Sequence, residues 1–120
     1  MSTDRAFVTY LLELLAPLHG ITAKRMFGGY GLFREGLMFA LVSNDTLYFK
    51  TDSQTLAYFT ERELEPFSFF KKSEEIRTSY YRAPEEALDN SEEMCTWAAQ
   101  AHQVALRAVK PKRQPKRSSQ

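Results

Sequence analysis

The sequence predicts an α+β fold: a two-layer sandwich in which an antiparallel sheet carries its helices on one face. Three observations predict it. Apolar residues recur with a helical period near both ends of the chain and with a period close to two between them. The links between strand-like segments are a few residues long, which suits antiparallel neighbours rather than crossovers. Of the 120 residues, 43% are hydrophobic and nine are Phe, enough to fill the core of one domain.

Residues 4–18 read as the first helix, with Phe7, Leu11, Leu14 and Leu18 forming one stripe. Thr3 or Asp4 can cap its start, Pro17 lies near its end, and Gly20 stops it. Residues 23–30 and 30–34 read as one extended segment bent at Gly28-Gly29. After a turn at Arg34-Glu35-Gly36, residues 37–42 form an apolar strand. Ser43-Asn44-Asp45 turns the chain into a third strand, Thr46–Lys50, with Leu47 and Phe49 on one face and Tyr48 and Lys50 on the other. Asp52 or Ser53 opens a short helix to about residue 62, whose buried side is Leu56 and Phe59. Pro66 ends the following linker. Residues 67–71 and 75–82 make a hairpin turned at Lys72-Ser73-Glu74, and Pro84 begins a short helical turn. Asn90 and Glu93 have capping-box spacing, and Met94, Trp97, Ala101, Val104 and Ala108 stripe the last helix. The order is α-β-β-β-α-β-β-α. It forms one domain, residues 1–109, followed by a basic tail, residues 110–120, whose prolines, serines and repeated Lys and Arg read as disordered.

The net charge of +1 is unevenly spread. Residues 1–109 hold eleven basic and fifteen acidic side chains, a net of −4, whereas the tail holds five basic and none acidic. An acidic body argues against a broad phosphate-binding face, and the tail offers only weak, salt-sensitive attraction to nucleic acid. The one cysteine, Cys95, leaves no internal disulfide and fits a reducing compartment. The N-terminus has no basic region before its apolar run, and Glu13 interrupts that run, so no signal peptide is expected. No stretch of roughly 18 apolar residues exists to span a membrane. A cytoplasmic protein is the expectation.

The stretch Met26-Phe27-Gly28-Gly29-Tyr30-Gly31-Leu32-Phe33 raises the question of a phosphate loop. A Walker loop ends in Gly-Lys-Ser/Thr, but Leu32 follows Gly31 here. A dinucleotide loop needs a third glycine where Arg34 stands, and a helix where this sequence has a strand. Phe27, Gly28, Gly29, Tyr30 and Gly31 therefore read as a structural motif in which glycine relieves crowding under large rings. His19 and His102 lack metal-ligand spacing, and the paired acids Glu74-Glu75, Glu85-Glu86 and Glu92-Glu93 are adjacent, so their side chains point apart. The residues suggest no catalytic, cofactor or metal set. The candidate interaction surface is the basic and aromatic group Arg25, Lys50, Lys71, Lys72, Tyr80 and Tyr81, since rings among cations on strands can stack bases.

Arg25-Met26-Phe27-Gly28-Gly29-Tyr30-Gly31, Leu47-Tyr48-Phe49-Lys50, Glu65-Pro66-Phe67 and Ser79-Tyr80-Tyr81 with Pro84 occur in the order and at intervals that resemble the N-terminal domain of the TfoX/Sxy family. The resemblance spans residues 5–108. It implies the same two-layer fold, similar to secretion-chaperone-like domains, and a regulator of natural competence that works beside a transcription activator. Full-length members carry a second, helical domain, so the resemblance implies a stand-alone N-terminal domain here. The leading expectation is a non-enzymatic regulatory or protein-interaction domain with a transcription-related protein partner and no cofactor. Alternatives are a nucleic-acid-binding accessory protein using the tail and the Lys71/Lys72/Tyr80/Tyr81 surface, and a small-molecule-binding domain. Exposed sheet edges could also join two copies as a homodimer.

Overall fold

The computed structural model describes residues 5–26 and 28–109. The expected cap at Thr3 or Asp4, the ring of Phe27 and the basic tail lie outside the described residues. The fold is α+β, with an antiparallel sheet on one side and helices on the other, as the sequence predicts.

Helix α1 (Arg5–Leu15) runs into a single 3-10 turn, Ala16–Leu18. Pro17 has no amide hydrogen to continue the α-helical ladder, so the helix tightens and stops there. His19 and Gly20, with φ of 60° and 73°, then reverse the chain. The buried residues of α1 are Val8, Leu11 and Leu15. Phe7, Leu14 and Leu18 of the predicted stripe flank that line and are half-buried. Strands β1 (Ile21–Met26), β2 (Gly29–Arg34), β3 (Leu37–Ser43) and β4 (Thr46–Lys50) follow as a meander. Then come α2 (Leu56–Thr60), β5 (Pro66–Lys71), β6 (Glu74–Arg82), α3 (Glu85–Asp89) and α4 (Ser91–Val109).

Among the described residues the six strands form one sheet in the order β1-β2-β3-β4-β6-β5. Every neighbouring pair is antiparallel. The segment expected as one bent strand is instead a hairpin: Met26 pairs with Gly29 across a two-residue link. Gly28 occupies that link at φ +77°, a conformation most side chains resist. Four strands therefore precede α2 rather than three. The β5–β6 hairpin ends the sheet with its two strands in reverse of their sequence order: β6 lies beside β4, and β5 forms the edge.

A bulge in β3 sets which residues face the helices. Leu32 pairs with Ala40 and Phe33 with Met38, which leaves Phe39 as the extra residue. Phe39 is fully buried, with its ring edge-on to His102 of α4 at 6.4 Å. Leu32, Ala40, Val42, Leu47 and Phe49 complete the sheet side of the core. From the helix side come the α1 residues and Met94, Trp97, Ala98, Ala101 and Ala105 of α4. Ala108, expected in that stripe, is exposed, since the helix outruns the sheet. On α2 only Phe59 is buried, against Trp97 at 5.3 Å, while Leu56 is 37% exposed. A five-residue helix can point only one such position inward. Asn90 caps α4 as its spacing predicts, its Oδ1 accepting from the amide of Glu93 at 2.8 Å.

Candidate functional site

Side chains alternate across a strand, so the residues opposite the core form a second face, which no helix covers among the described residues. Gly31, Phe33, Met38, Leu41, Tyr48 and Tyr80 lie on it by register. This face is concave. A groove of about 370 Å³ is lined by Met26, Tyr30, Met38 and Leu41 from β1, β2 and β3 and by Phe67, Phe69 and Tyr80 from β5 and β6. Its walls are almost wholly apolar, with Ser43 and Thr78 contributing hydroxyls. The two methionines close over the place where Gly31 has no side chain: a Cβ there would lie 2.6 Å from the sulfur of Met26 and 3.0 Å from that of Met38.

Aromatic contacts stiffen the β5 side of the groove. Tyr48 meets Phe67 edge-on at 5.3 Å, and Phe67 lies 6.3 Å from Phe69. Burial pushes the phenol pKa of Tyr80 up. It does the same to Tyr48, where Arg82 opposes the shift and Glu65 adds to it. Both phenols therefore stay protonated near neutral pH and can donate a hydrogen bond.

Two lysines lie over aromatic faces on this side of the sheet. The ammonium of Lys24 sits 5.1 Å from the ring centre of Phe33, and that of Lys50 sits 5.1 Å from that of Tyr80. Of the six residues singled out from sequence, only Lys50 and Tyr80 meet. Tyr81 points the other way and packs on Phe59 in the core, at 6.2 Å. Arg25 pairs with Tyr30 and shares the helix-side parity of Ala23, which packs on the core. Lys71 and Lys72 are at the exposed tip of the β5–β6 hairpin, with Lys72 at φ 53° inside its turn. The groove residues Met26, Met38, Leu41, Phe67 and Phe69 are outside the basic and aromatic group that the sequence points to. For Met38 and Leu41 the signal is the unbroken apolar run 37–42, which no strand with one wet face would need.

The glycine motif is a backbone device. Gly29 is buried against β3 and Gly28 lies in the turn, in surroundings that offer no helix N-terminus to an anion. Cys95 is half-buried, its thiol donating to the Leu14 carbonyl oxygen at 3.4 Å. The buried Nε2 of His102 lies 3.6 Å from the Glu35 carboxylate. Among the described residues no group of three or more His, Cys, Asp or Glu is placed to hold a metal ion, and no helix is long and apolar enough to cross a membrane.

Comparison with known proteins adds a family relationship to this geometry. The family model described as the TfoX N-terminal domain matches residues 13–105. The chain is also similar to the DNA transformation protein TfoX1 of Aliivibrio fischeri, at 37% identity over 62 residues. That stretch covers 52% of this chain and 30% of the relative, so it spans less than a third of the relative's length.

Proposed function

Because the chain belongs to the TfoX N-terminal domain family, we propose that it is a non-enzymatic regulatory domain that holds an apolar segment of a protein partner in the groove of its open sheet face. The observation that supports this reading is the groove itself: about 370 Å³ with apolar walls and no charged side chain lining it. Methionines suit varied apolar side chains because the thioether is flexible and polarizable. Lys24 and Lys50, on the same face, favour a segment with acidic flanks. The name of the Aliivibrio fischeri relative ties that protein to DNA transformation, and a bacterial cytoplasmic role in competence or transcription control is the setting this reading takes from it.

A nucleic-acid-binding reading draws on the two lysine–aromatic stacks of the open face. It is the weaker of the two. The ring faces that would stack bases already carry a lysine, and residues 1–109 have a net charge of −4. The groove volume also falls within the range of small-ligand sites, about 300–1,000 Å³, so a small apolar ligand is the remaining outcome.

The test starts from in-cell crosslinking that identifies the partner, followed by calorimetric titration of the purified pair. Leu41→Lys, with folding confirmed by circular dichroism, places a charge in the groove and is expected to weaken binding at least about tenfold. Equal affinity for both forms overturns the reading. Binding that falls steeply with salt, or a small apolar molecule recovered with the purified protein and lost in Leu41→Lys, selects one of the alternatives.

A further inference from the structure

We propose that two copies of this chain join edge to edge through β5, antiparallel and in register about Ser68, so that one continuous sheet runs through both. This goes beyond the partner-binding reading and does not rest on it.

β5 is an edge strand, and its bonds to β6 identify which of its groups point outward. The carbonyl oxygens of Glu65 and Phe67 accept from the Arg82 amide at 2.9 Å and the Thr78 hydroxyl at 2.9 Å, both on β6. Lys72 and Ser73, at φ 53° and 69°, form a two-residue turn that closes Lys71 against Glu74 as a hydrogen-bonded pair. Odd-numbered residues of β5 thus bond inward. The amides of Ser68 and Phe70 and the carbonyls of Pro66, Ser68 and Phe70 face outward, since the two directions alternate along an antiparallel strand.

A second copy of β5 approaching antiparallel must present its own outward groups, so even-numbered residues must face even-numbered ones, which leaves the registers centred on Pro66, Phe67, Ser68, Phe69 or Phe70. Centred on Ser68, four bonds form: Ser68 to Ser68 in both directions, and each Phe70 amide to the opposite Pro66 carbonyl. Pro66, which has no amide, forgoes one bond at each end. In this register Glu65 faces the second copy's Lys71 at both ends, and Phe67 faces its Phe69. Centring on Phe69 sets Lys71 against Phe67 and centring on Phe70 sets it against Phe69, whereas centring on Phe67 sets Glu65 against Phe69 and centring on Pro66 sets it against Phe67, so none of these pairs the charges.

The character of the edge agrees. Phe69 is 43% and Phe70 72% exposed, and no charge interrupts the strand from Pro66 to Phe70. The opposite edge, β1, carries exposed Lys24 and Arg25, the usual way an edge is kept from pairing. Phe67 and Phe69 also line the groove, so pairing places the grooves of the two copies side by side.

The test is sedimentation velocity of the full chain over a dilution series. Wild type is expected to be a dimer that dissociates on dilution. Ser68→Pro deletes an amide that makes no bond to β6, so the hairpin should persist while the dimer is lost. Circular dichroism and Trp97 fluorescence check that it folds. Lys71→Glu sets acids against each other at both ends and should raise the dimer Kd about tenfold. Adding Glu65→Lys to it should restore the wild-type Kd. A monomer at all concentrations, a dimer indifferent to Ser68→Pro, or a double variant as weak as Lys71→Glu overturns the proposal. Leu41→Lys should leave the dimer intact, so failure of the groove reading and failure of this one are read separately.

Discussion

A Cβ at Gly29 would lie 2.0 Å from the carbonyl oxygen of Val42 and 3.1 Å from its carbon. Both are backbone atoms of β3, held by the sheet, and cannot move aside. Gly28 differs: nothing lies within 4 Å of its missing side chain, but its φ is +77°. At Gly31 the obstacles are side-chain atoms, the sulfurs of Met26 at 2.6 Å and Met38 at 3.0 Å, which can rotate away, and the Cε1 of Phe33 at 3.0 Å, which must give slightly. The three glycines of one short motif thus have three separate reasons. Gly29→Ala should cost about 3 kcal/mol, Gly28→Ala about 1–2 kcal/mol, and Gly31→Ala least, as read from urea midpoints at constant slope. A Gly29→Ala variant as stable as wild type would refute the close approach. That the stretch departs from both phosphate-loop templates was legible, because both fail on spacing. Which glycine does what was not, because that depends on the path of β3, remote in sequence from Gly29. The split of Tyr80 and Tyr81 to opposite faces follows from strand alternation alone, yet grouping residues by composition hides it.

At the scale of elements, one ion pair ties the start of α2 to the end of α4. The Asp52 carboxylate accepts from Arg107 Nε at 2.8 Å and from its Nη2 at 3.1 Å, and Asp52 Oδ1 also accepts from the Gln54 amide at 3.0 Å. The bond from Arg107 is the chief reason the Asp52 pKa is lowered in the folded protein, with the Gln54 and Thr55 amides adding to it. A folded pKa below the unfolded value of about 3.9 contributes stability that is complete above that value and is lost as pH falls through the lower folded one. Wild type should therefore exceed Asp52→Asn in stability at about pH 6, and the two should converge near about pH 2 in denaturant titrations. A constant gap across that range would show that the pair does not titrate with folding. Asp52 was legible as a helix start, whereas Arg107, 55 residues away, carried no local sign of being its partner. β3 posed a different difficulty. Its apolar run has no period of two, because the bulge at Phe39 turns an extra residue to the helices while Met38 and Leu41 line the groove. The strand was recognisable and its faces were not.

For the molecule as a whole, element types and their order follow from period and turn chemistry, which are local. The insertion of β6 between β4 and β5, and the concavity of the open face, arise from contacts across α2 and had no local signature. That topology has a dynamic consequence. Among the described residues, β6 pairs with β4 through Tyr48–Arg82, Phe49–Tyr81 and Lys50–Tyr80, and the outer part of the β5–β6 hairpin has no strand neighbour but its own partner. Phe69 to Glu75 are all exposed there, whereas Ala40, Val42, Leu47 and Phe49 lie under the helices at 1% exposure or less. Local opening is cheap where few buried contacts must break. In native-state hydrogen exchange, the amides of Phe69, Lys71, Glu74 and Ile76 should exchange at rates that low denaturant leaves unchanged. Those of Ala40, Val42, Leu47 and Phe49 should exchange only through global unfolding, with protection that falls as denaturant rises. The measurement belongs at the lowest workable protein concentration, so that pairing at the β5 edge adds no protection. Hairpin amides that follow the global denaturant dependence would mean that the outer hairpin is as firmly held as the core, and its exposed rings would then need a covering that the described residues do not supply.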